Sequence, residues 1–255
     1  MEDIIITFLI SETSVHVAEV SRSTKVIQRQ HFHRFTAFRE HDYKSELSSV
    51  IEQLKWNWQN DNIVLAWCTN KATLVPAKVM GQVSIEELSS FLFGDTIEKK
   101  NLDYNRLPEL DVVNIFEIPL WVKSFFVIKF PLITIVHEQT AALRAHFETS
   151  NFKFKLEVSI NEDYLSLYCI ENNELKFSNN FEFQTAEDIV YYIVYVLKQK
   201  SFEEKTVTLT FSSYIEESSD VIKKAIHLLE SNKLVPNLKI QSTTKSSFLN
   251  LLTCV

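Results

Sequence analysis

Two short polar turns carry carboxylates directly after apolar segments of the sequence. Glu12 follows the run 4–10, and Glu162 with Asp163 follows the run 154–160. Carboxylate oxygens are the ligands that hard divalent cations such as Mg²⁺ prefer. Polar side chains are also the ordinary occupants of solvent-facing turns. The pattern therefore leaves two hypotheses for these three residues, a shared magnesium site or solvated turns.

Histidine and cysteine offer little that is specific to catalysis or metal binding. His31 and His33 alternate along a predicted strand, so their imidazoles lie on one face. Zinc accepts such a pair, but spacing fixes no third ligand, so we favour an ordinary exposed strand face. His137-Glu138 and the cysteines show no spacing typical of a nucleophile and its base. We therefore predict no catalytic residue and no metal ligand.

The segment between Glu19 and Glu40 contains no acidic residue, and it carries several cations and three phenylalanines. Cations and aromatic rings together can neutralise phosphates and stack on bases, and cations also attract an acidic protein. The whole chain carries a net charge of −7, which disfavours nucleic acid. We expect no nucleic-acid binding. The cations are Arg22, Lys25, Arg29, Arg34 and Arg39.

Composition limits the function classes further. Gly81 and Gly94 are the only two glycines in 255 residues. Loops that bind phosphate use glycine where the backbone approaches the anion, so this sequence offers almost none. The three widely spaced cysteines fit a reducing compartment. The acidic start and the short apolar runs predict neither a signal peptide nor a membrane helix, so we expect a cytoplasmic protein.

The order of predicted elements occurs twice along the chain. Each half opens with three strands rich in β-branched and aromatic residues and joined by polar turns. Helical periodicity then alternates with further strands, which gives the order βββαβαβα. Asp42 is placed to cap the first helix, predicted over 43–59. The opening strands are predicted at 3–10, 14–20 and 24–33, and again at 154–160, 163–170 and 174–183.

This repeat predicts an α/β protein of two domains, each with a mixed sheet. We place the first domain at residues 1–150, with an insertion at about 76–117, and the second at 151–255. The insertion contains the capping box that begins at Ser84 and a helix that Gly94 can end.

The duplicated order resembles the actin-like ATPase fold, a ribonuclease H-like architecture shared by actin, Hsp70 chaperones, sugar kinases and pilus-assembly ATPases. The whole chain is also similar to an uncharacterised bacterial family with a degenerate form of that fold. The segment Val112–Pro119 and the later pair Phe130-Pro131 carry this second similarity.

In the actin-like family, the first hairpin of each domain carries an Asp and a Gly that hold phosphates and magnesium. By resemblance, Leu9 and Ser11 stand at these positions in the first hairpin. Ser159 and Asn161 stand there in the second hairpin. The glycines that bind adenosine follow the fourth strand of the second domain. This sequence has other residues there, namely Phe211, Ser212 and Ser213.

These replacements have consequences for function. A side chain at a glycine position obstructs phosphate, and the carboxylates of Glu12, Glu162 and Asp163 repel it. The resemblance therefore implies a non-catalytic actin-like protein, a binding or scaffold module with a protein partner and no cofactor. The alternative is a nucleotide-binding ATPase or kinase with altered phosphate hairpins. The resemblance also places the third strand at a sheet edge, where its basic residues would guard an open edge.

Overall fold

The computed structural model describes residues 4–36, 39–58, 62–94, 97–148, 154–199, 201–202, 205–213, 219–232, 235, 237–241 and 245–254. The chain forms two compact units, residues 1–141 with 248–255, and residues 142–247. The predicted domains, 1–150 and 151–255, follow chain order and stay a prediction.

The first unit contains eight strands and three complete α-helices among the described residues, and a fourth helix begins in it. Strands and helices follow one another closely along the chain. They are β1 (Ile4–Ile10), β2 (Ser14–Ser21), β3 (Ile27–Arg34), α1 (Glu40–Leu54), β4 (Ile63–Trp67), β5 (Ala72–Pro76), α2 (Ile85–Phe93), β6 (Leu102–Leu107), β7 (Val112–Glu117), α3 (Leu120–Lys129), β8 (Thr134–His137) and α4 (Glu138–Glu148).

Five of these strands form a mixed sheet in the order β3-β2-β1-β4-β8. β1 is antiparallel to β2 and parallel to β4, so Leu9 lies between His16 and Ala66. Alternate residues of β1, such as Phe8, point into an apolar core that α1 and α3 complete. The Phe8 ring packs edge-on against the Phe126 ring of α3, with the two ring centres 5.1 Å apart. The residues on the opposite face of β1, such as Leu9, are buried as well, so the strand is covered on both faces.

A separate three-stranded antiparallel sheet has the order β5-β7-β6. Val75, Val113 and Ile115 form its small core, against which residues of α2 pack. α2 begins at Ser84 with the predicted capping box and ends at Gly94, which has a positive φ of 64°. Both predictions for this helix are confirmed.

The second unit repeats the architecture of the five-stranded sheet. Its sheet runs β11-β10-β9-β12-β13, and β14 pairs with β12. α5 and α6 cover one face and complete the core. The predicted α/β class with a mixed sheet in each half is confirmed. The elements are β9 (Lys155–Ile160), β10 (Tyr164–Glu171), β11 (Glu174–Glu182), α5 (Ala186–Gln199), β12 (Val207–Ser213), α6 (Ser219–Asn232), β13 (Leu238–Ile240) and β14 (Lys245–Ser246).

The first helix differs from its prediction at both ends. α1 begins after Arg39, which makes no side-chain capping bond, so Asp42 lies in the first turn rather than at the cap. The helix ends at Leu54, and the next residue, Lys55, adopts a left-handed conformation with φ 48° and ψ 35°. The predicted range of 43–59 was therefore wrong at both ends. Near the chain end, Ser247–Cys254 form a 3₁₀ helix.

No helix among the described residues is long and apolar enough to cross a membrane.

Candidate functional site

The first hairpin is closed by hydrogen bonds to one serine side chain. Ser11 follows β1, and its Oγ accepts hydrogen bonds from the backbone N–H groups of Thr13 and Ser14, each at 3.1 Å. The Ser11 N–H donates to the Ser14 carbonyl at 3.0 Å. A phosphate-binding loop must leave such groups free to point at the anion. In this hairpin they are already used within the turn.

The two other predicted positions of this hairpin differ in exposure. Leu9 is buried at 2% exposure in the centre of the sheet. Its side chain offers no atom that a cation or a phosphate could bind. Glu12 lies exposed at the tip of the turn.

The second hairpin joins β9 to β10 and buries its two predicted positions. Ser159 is 1% exposed, and its Oγ has no hydrogen-bond partner in the described part of the chain. Asn161 is also buried, and its N–H donates to the Tyr164 carbonyl at 2.9 Å. Glu162 is half-buried and Asp163 is exposed. The interior positions of this hairpin are thus neutral, whereas its carboxylates lie at the turn.

The third predicted segment lies within a strand. The resemblance places Phe211, Ser212 and Ser213 after the fourth strand of the second half, but β12 extends to Ser213. Ser212 and Ser213 pair with β9 on one side and with β14 on the other, which prolongs the strand. Phe211 points into the core of the unit. The segment is therefore not a loop, and residues 214–218 lie outside the described residues.

A buried polar group that sequence reasoning missed lies on the other face of this sheet. Glu157 of β9 is 2% exposed, and both of its carboxylate oxygens have partners. Oε2 lies 2.7 Å from Nδ1 of His146, which α4 supplies. Oε1 accepts a hydrogen bond of 3.1 Å from the Ser212 hydroxyl. A buried carboxylate is thereby held by one imidazole and one hydroxyl.

This arrangement differs from a catalytic triad in the position of its carboxylate. In a triad, the histidine bonds to the hydroxyl and removes its proton. Here the Ser212 hydroxyl donates its one hydrogen bond to Glu157, which lies between Ser212 and His146. The arrangement compensates a buried charge rather than activating a nucleophile.

A second buried group surrounds His137 at the end of β8. Its Nδ1 accepts hydrogen bonds from the Gln139 N–H at 3.1 Å and from the Asn114 amide at 3.2 Å. Nε2 therefore carries the hydrogen and donates to the Thr69 carbonyl at 3.1 Å. Burial lowers the pKa of His137 to about 3, although the bond to the Thr69 carbonyl acts in the opposite direction. His137 is a neutral, structural histidine at physiological pH.

Asn105 of β6 extends this group. Its Oδ1 accepts hydrogen bonds from the backbone N–H of His137 at 2.7 Å and from the Thr140 hydroxyl at 3.1 Å. Asn114 of β7 also donates to the Thr140 hydroxyl at 3.1 Å. The network thus attaches the three-stranded sheet to β8 and to the start of α4.

The histidine pair of β3 lies on one face, as its spacing predicts. The strand register places His31 opposite Val17 and His33 opposite Val15. His33 Nε2 lies 2.6 Å from a carboxylate oxygen of Glu46 on α1. Partial burial and the nearby His33 lower the pKa of His31. Across the described ranges, no group of three His, Cys, Asp or Glu side chains could hold a metal ion.

Two cations of the basic stretch, Arg29 and Arg34, lie on an edge strand, since β3 ends the sheet. One of its residues, however, is not a solvated guard of that edge. Arg29 contacts both carboxylate oxygens of Glu19, with Nη2 2.7 Å from Oε1. Its guanidinium also lies 4.9 Å from the Trp56 ring centre, and Glu19 is 5% exposed. Arg29 therefore compensates a buried carboxylate in addition to lying on the sheet edge.

Residues 3–230 match the family described as "Protein of unknown function (DUF3822)". The chain belongs to this family. No curated protein matches the sequence.

Two solved structures share the fold. One is a Bacteroides thetaiotaomicron protein described as having an actin-like ATPase fold and unknown function, with 18% identity and a TM-score of 0.75. That match covers 100% of this chain and 97% of the other. The other is the PilM–PilN type IV pilus biogenesis complex, at 11% identity and TM-score 0.59, covering 93% of this chain and 88% of that one. The DUF3822 chain therefore has the actin-like ATPase fold, and the expected resemblance is confirmed.

Proposed function

We propose that this DUF3822 chain is a non-catalytic protein with the actin-like fold that serves as a binding or scaffold module. The observation that carries the proposal is the first hairpin, where Ser11 Oγ accepts the N–H groups of Thr13 and Ser14. An incoming phosphate would have to displace these internal bonds, because each N–H has one hydrogen to give.

Burial at the other positions supports the same proposal. Leu9 and Phe211 are 2% and 0% exposed, so both are packed into the protein rather than available to a nucleotide. The buried carboxylate of Glu157 is satisfied by His146 and Ser212 and does not need a cation as its counter-ion.

The proposed partner is another protein. One structural neighbour, PilM, is seen in a complex with PilN. That neighbour shows that the fold can serve protein–protein assembly, and the net charge of −7 disfavours nucleic acid as a partner here.

A thermal-shift experiment with ATP and Mg²⁺ tests the non-catalytic assignment. A ligand at about 100 times its Kd adds about 2.7 kcal/mol to the folded state. Each kcal/mol moves the Tm of a chain this size by about 2–4 °C. A 10 μM binder tested at about 1 mM would therefore raise the Tm by roughly 5–11 °C. We expect no shift, and a reproducible magnesium-dependent rise above about 4 °C would reject the proposal.

Ser11→Ala serves as the matched control. It removes the acceptor for two backbone N–H groups and should lower the Tm modestly. We still expect no response to ATP, because Leu9 and Phe211 remain buried in their strands. A thermal-shift measurement with Mg²⁺ and no ATP distinguishes cation binding at Glu12, Glu162 or Asp163 from nucleotide binding.

A further inference from the structure

The solvent-facing side of α5 carries two tyrosines that lie one helical turn apart. Tyr191 and Tyr195 are 60% and 44% exposed, and their rings stack with the centres 5.8 Å apart. The outer face of a surface helix is ordinarily charged or polar, as it is on α6 with Lys223 and Glu230. Tyrosine is enriched where proteins bind one another, so two large rings left in solvent indicate a binding surface.

The exposed pair continues into a row of five aromatic rings. Tyr191 meets Tyr192 edge-on, with the ring centres 5.4 Å apart. Tyr192 stacks on Phe181 of β11 with the centres 4.5 Å apart, and Phe181 stacks on Phe177 with the centres 6.5 Å apart. Tyr192 and both phenylalanines are half-buried and pack against the core of the second unit. The core therefore supports the exposed tyrosines from below.

The polar groups of this face are open to a ligand. Among the described residues, the hydroxyls of Tyr191 and Tyr195 have no hydrogen-bond partner, and Lys198 forms no ion pair. Lys198 is exposed three positions after Tyr195, on the same side of the helix. Glu187, at the other end of the face, is paired with Lys224 at 2.8 Å. The face thus offers two hydroxyls that can donate and one free cation.

A polyproline II segment matches these groups. Its backbone makes no internal hydrogen bonds, so its carbonyls remain free to accept hydrogen bonds from a binding surface. Proline rings pack against aromatic side chains, and aromatic-lined surfaces recur in the recognition of such segments. Tyr191 and Tyr195 are about 6 Å apart along the helix axis, which equals the advance of two polyproline II residues. Both hydroxyls can therefore reach carbonyls of one short segment.

The size and the charge of the surface disfavour other occupants. The exposed parts of the two rings amount to roughly 200 Å², whereas each partner in a stable dimer buries about 800 Å². This surface is therefore too small to hold a second copy of the chain. A single-stranded nucleic acid also binds aromatic rings, but it would bring phosphates to a chain with a net charge of −7.

We propose that the face of α5 formed by Tyr191, Tyr195 and Lys198 binds a proline-rich segment of the protein partner in the polyproline II conformation. The proposal rests on the proposed binding function and specifies the chemistry of that partner. Proline rings of the segment lie against the two tyrosine rings, and the tyrosine hydroxyls donate to its carbonyls. An acidic residue at one end of the segment pairs with Lys198 and sets the direction of the segment.

The probe is a fluorescein-labelled peptide of ten residues, in which most positions are proline and one end carries two Asp residues. Fluorescence anisotropy with the full chain gives its Kd. The same peptide with glycine in place of proline is a flexible coil and should bind at least roughly tenfold more weakly. A peptide with Lys in place of Asp should bind about three- to tenfold more weakly, and high salt should remove this difference.

Matched variants locate the peptide on α5. Tyr191→Ala should weaken binding at least roughly tenfold, because a few aromatic anchors dominate small interfaces. Tyr195→Phe keeps the ring, removes only the hydroxyl and should weaken binding about two- to tenfold. Lys198→Ala should weaken binding of the Asp peptide but not of the Lys peptide. Phe91→Ala removes a ring of α2 that is 86% exposed and should leave the Kd within about twofold.

Three results with the peptides would overturn the proposal. They are equal binding of the proline and glycine peptides, equal effects of Tyr191→Ala and Phe91→Ala, and no binding up to about 1 mM peptide. A single-stranded oligonucleotide that binds in a Tyr191-dependent manner, when the peptide does not bind, would also reject it. ATP takes no part in these measurements, so the thermal-shift experiment decides the non-catalytic assignment separately.

Discussion

At the scale of single residues, the ion pair between Arg29 and Glu19 makes the loss of Arg29 from the edge strand β3 destabilising. Glu19 is 5% exposed, whereas the Arg29 side chain is 49% exposed. The hydrogen bond to Glu19 raises the pKa of Arg29. Removing the exposed partner would therefore leave a buried charge without compensation, which is the costly case.

We expect Arg29→Ala to lower the free energy of unfolding by about 1.5–3 kcal/mol, the range for hydrogen bonds to charged groups. Lys239→Ala, at an exposed position of the short strand β13, should stay within about 0.5 kcal/mol. Urea unfolding measures both. Equal effects of the two substitutions would show that the contact with Glu19 contributes nothing specific.

The protonation of buried His137 makes the stability of the protein depend on pH. Its pKa is about 3 in the folded protein, and about 6.5 in an unfolded chain. Between these values the unfolded chain binds a proton that the folded protein excludes. The free energy of unfolding should therefore fall as the pH decreases from about 6.5 toward 3, by at most about 1.4 kcal/mol per pH unit.

His137→Asn removes this proton linkage. Its stability should depend less steeply on pH than that of the wild type over the same window, as measured by urea unfolding at a series of pH values. His227 lies exposed on α6, so His227→Gln should keep the wild-type slope. Parallel profiles for wild type and His137→Asn would contradict the neutral, buried state of His137.

At the scale of elements, α1 shows how tertiary packing overrides a helical pattern. Leu47, Val50, Ile51, Leu54 and Trp58 match one helical stripe in the sequence, yet the helix ends at Leu54. The left-handed Lys55 redirects the chain so that the Trp56 and Trp58 rings stack, with their centres 5.8 Å apart. Trp58 also stacks on Phe8 at 5.9 Å. Trp58 is half-buried and packs against the core, and it does so from a turn after the helix.

Lys55 therefore carries a strain that glycine would relieve. A non-glycine residue at positive φ is disfavoured, and glycine is the usual residue just after a helix. A side chain in the left-handed region costs about 1–2 kcal/mol, and the freer unfolded chain of a glycine variant offsets about 0.4–1 kcal/mol of that. We therefore expect Lys55→Gly to raise the free energy of unfolding by about 0.5–1 kcal/mol. Lys44→Gly, inside α1, should instead cost about 1 kcal/mol. A loss of stability in Lys55→Gly would mean that the Lys55 side chain contributes more than its backbone costs.

Local signals predicted other elements well. The predicted capping box at Ser84 forms, because capping depends on neighbours in sequence. Thr185 and Asp188 bond reciprocally in the same way before α5. β5 and β6 were missed. They are short, and they pair with β7, whose residues lie far from β5 in sequence.

At the scale of the whole molecule, the duplicated order of elements was sufficient to predict the fold. Two equivalent sheets follow from two equivalent strings of strands and helices. The buried polar groups could not be predicted in the same way. Glu157 is a polar residue in an apolar strand, which is a signal of its own, but nothing in the spacing indicates that His146 and Ser212 are its partners.

The contact between Ser212 and Glu157 has a consequence for the order of folding. These residues are 55 positions apart, so their hydrogen bond closes a long loop. Loop closure costs entropy before such a contact stabilises the chain, which delays pairing of this kind. We therefore expect Ser212→Ala to speed unfolding while leaving the refolding rate nearly unchanged. Stopped-flow measurements across a range of urea concentrations would separate the two rates, and a slower refolding rate would place this contact in the folding nucleus.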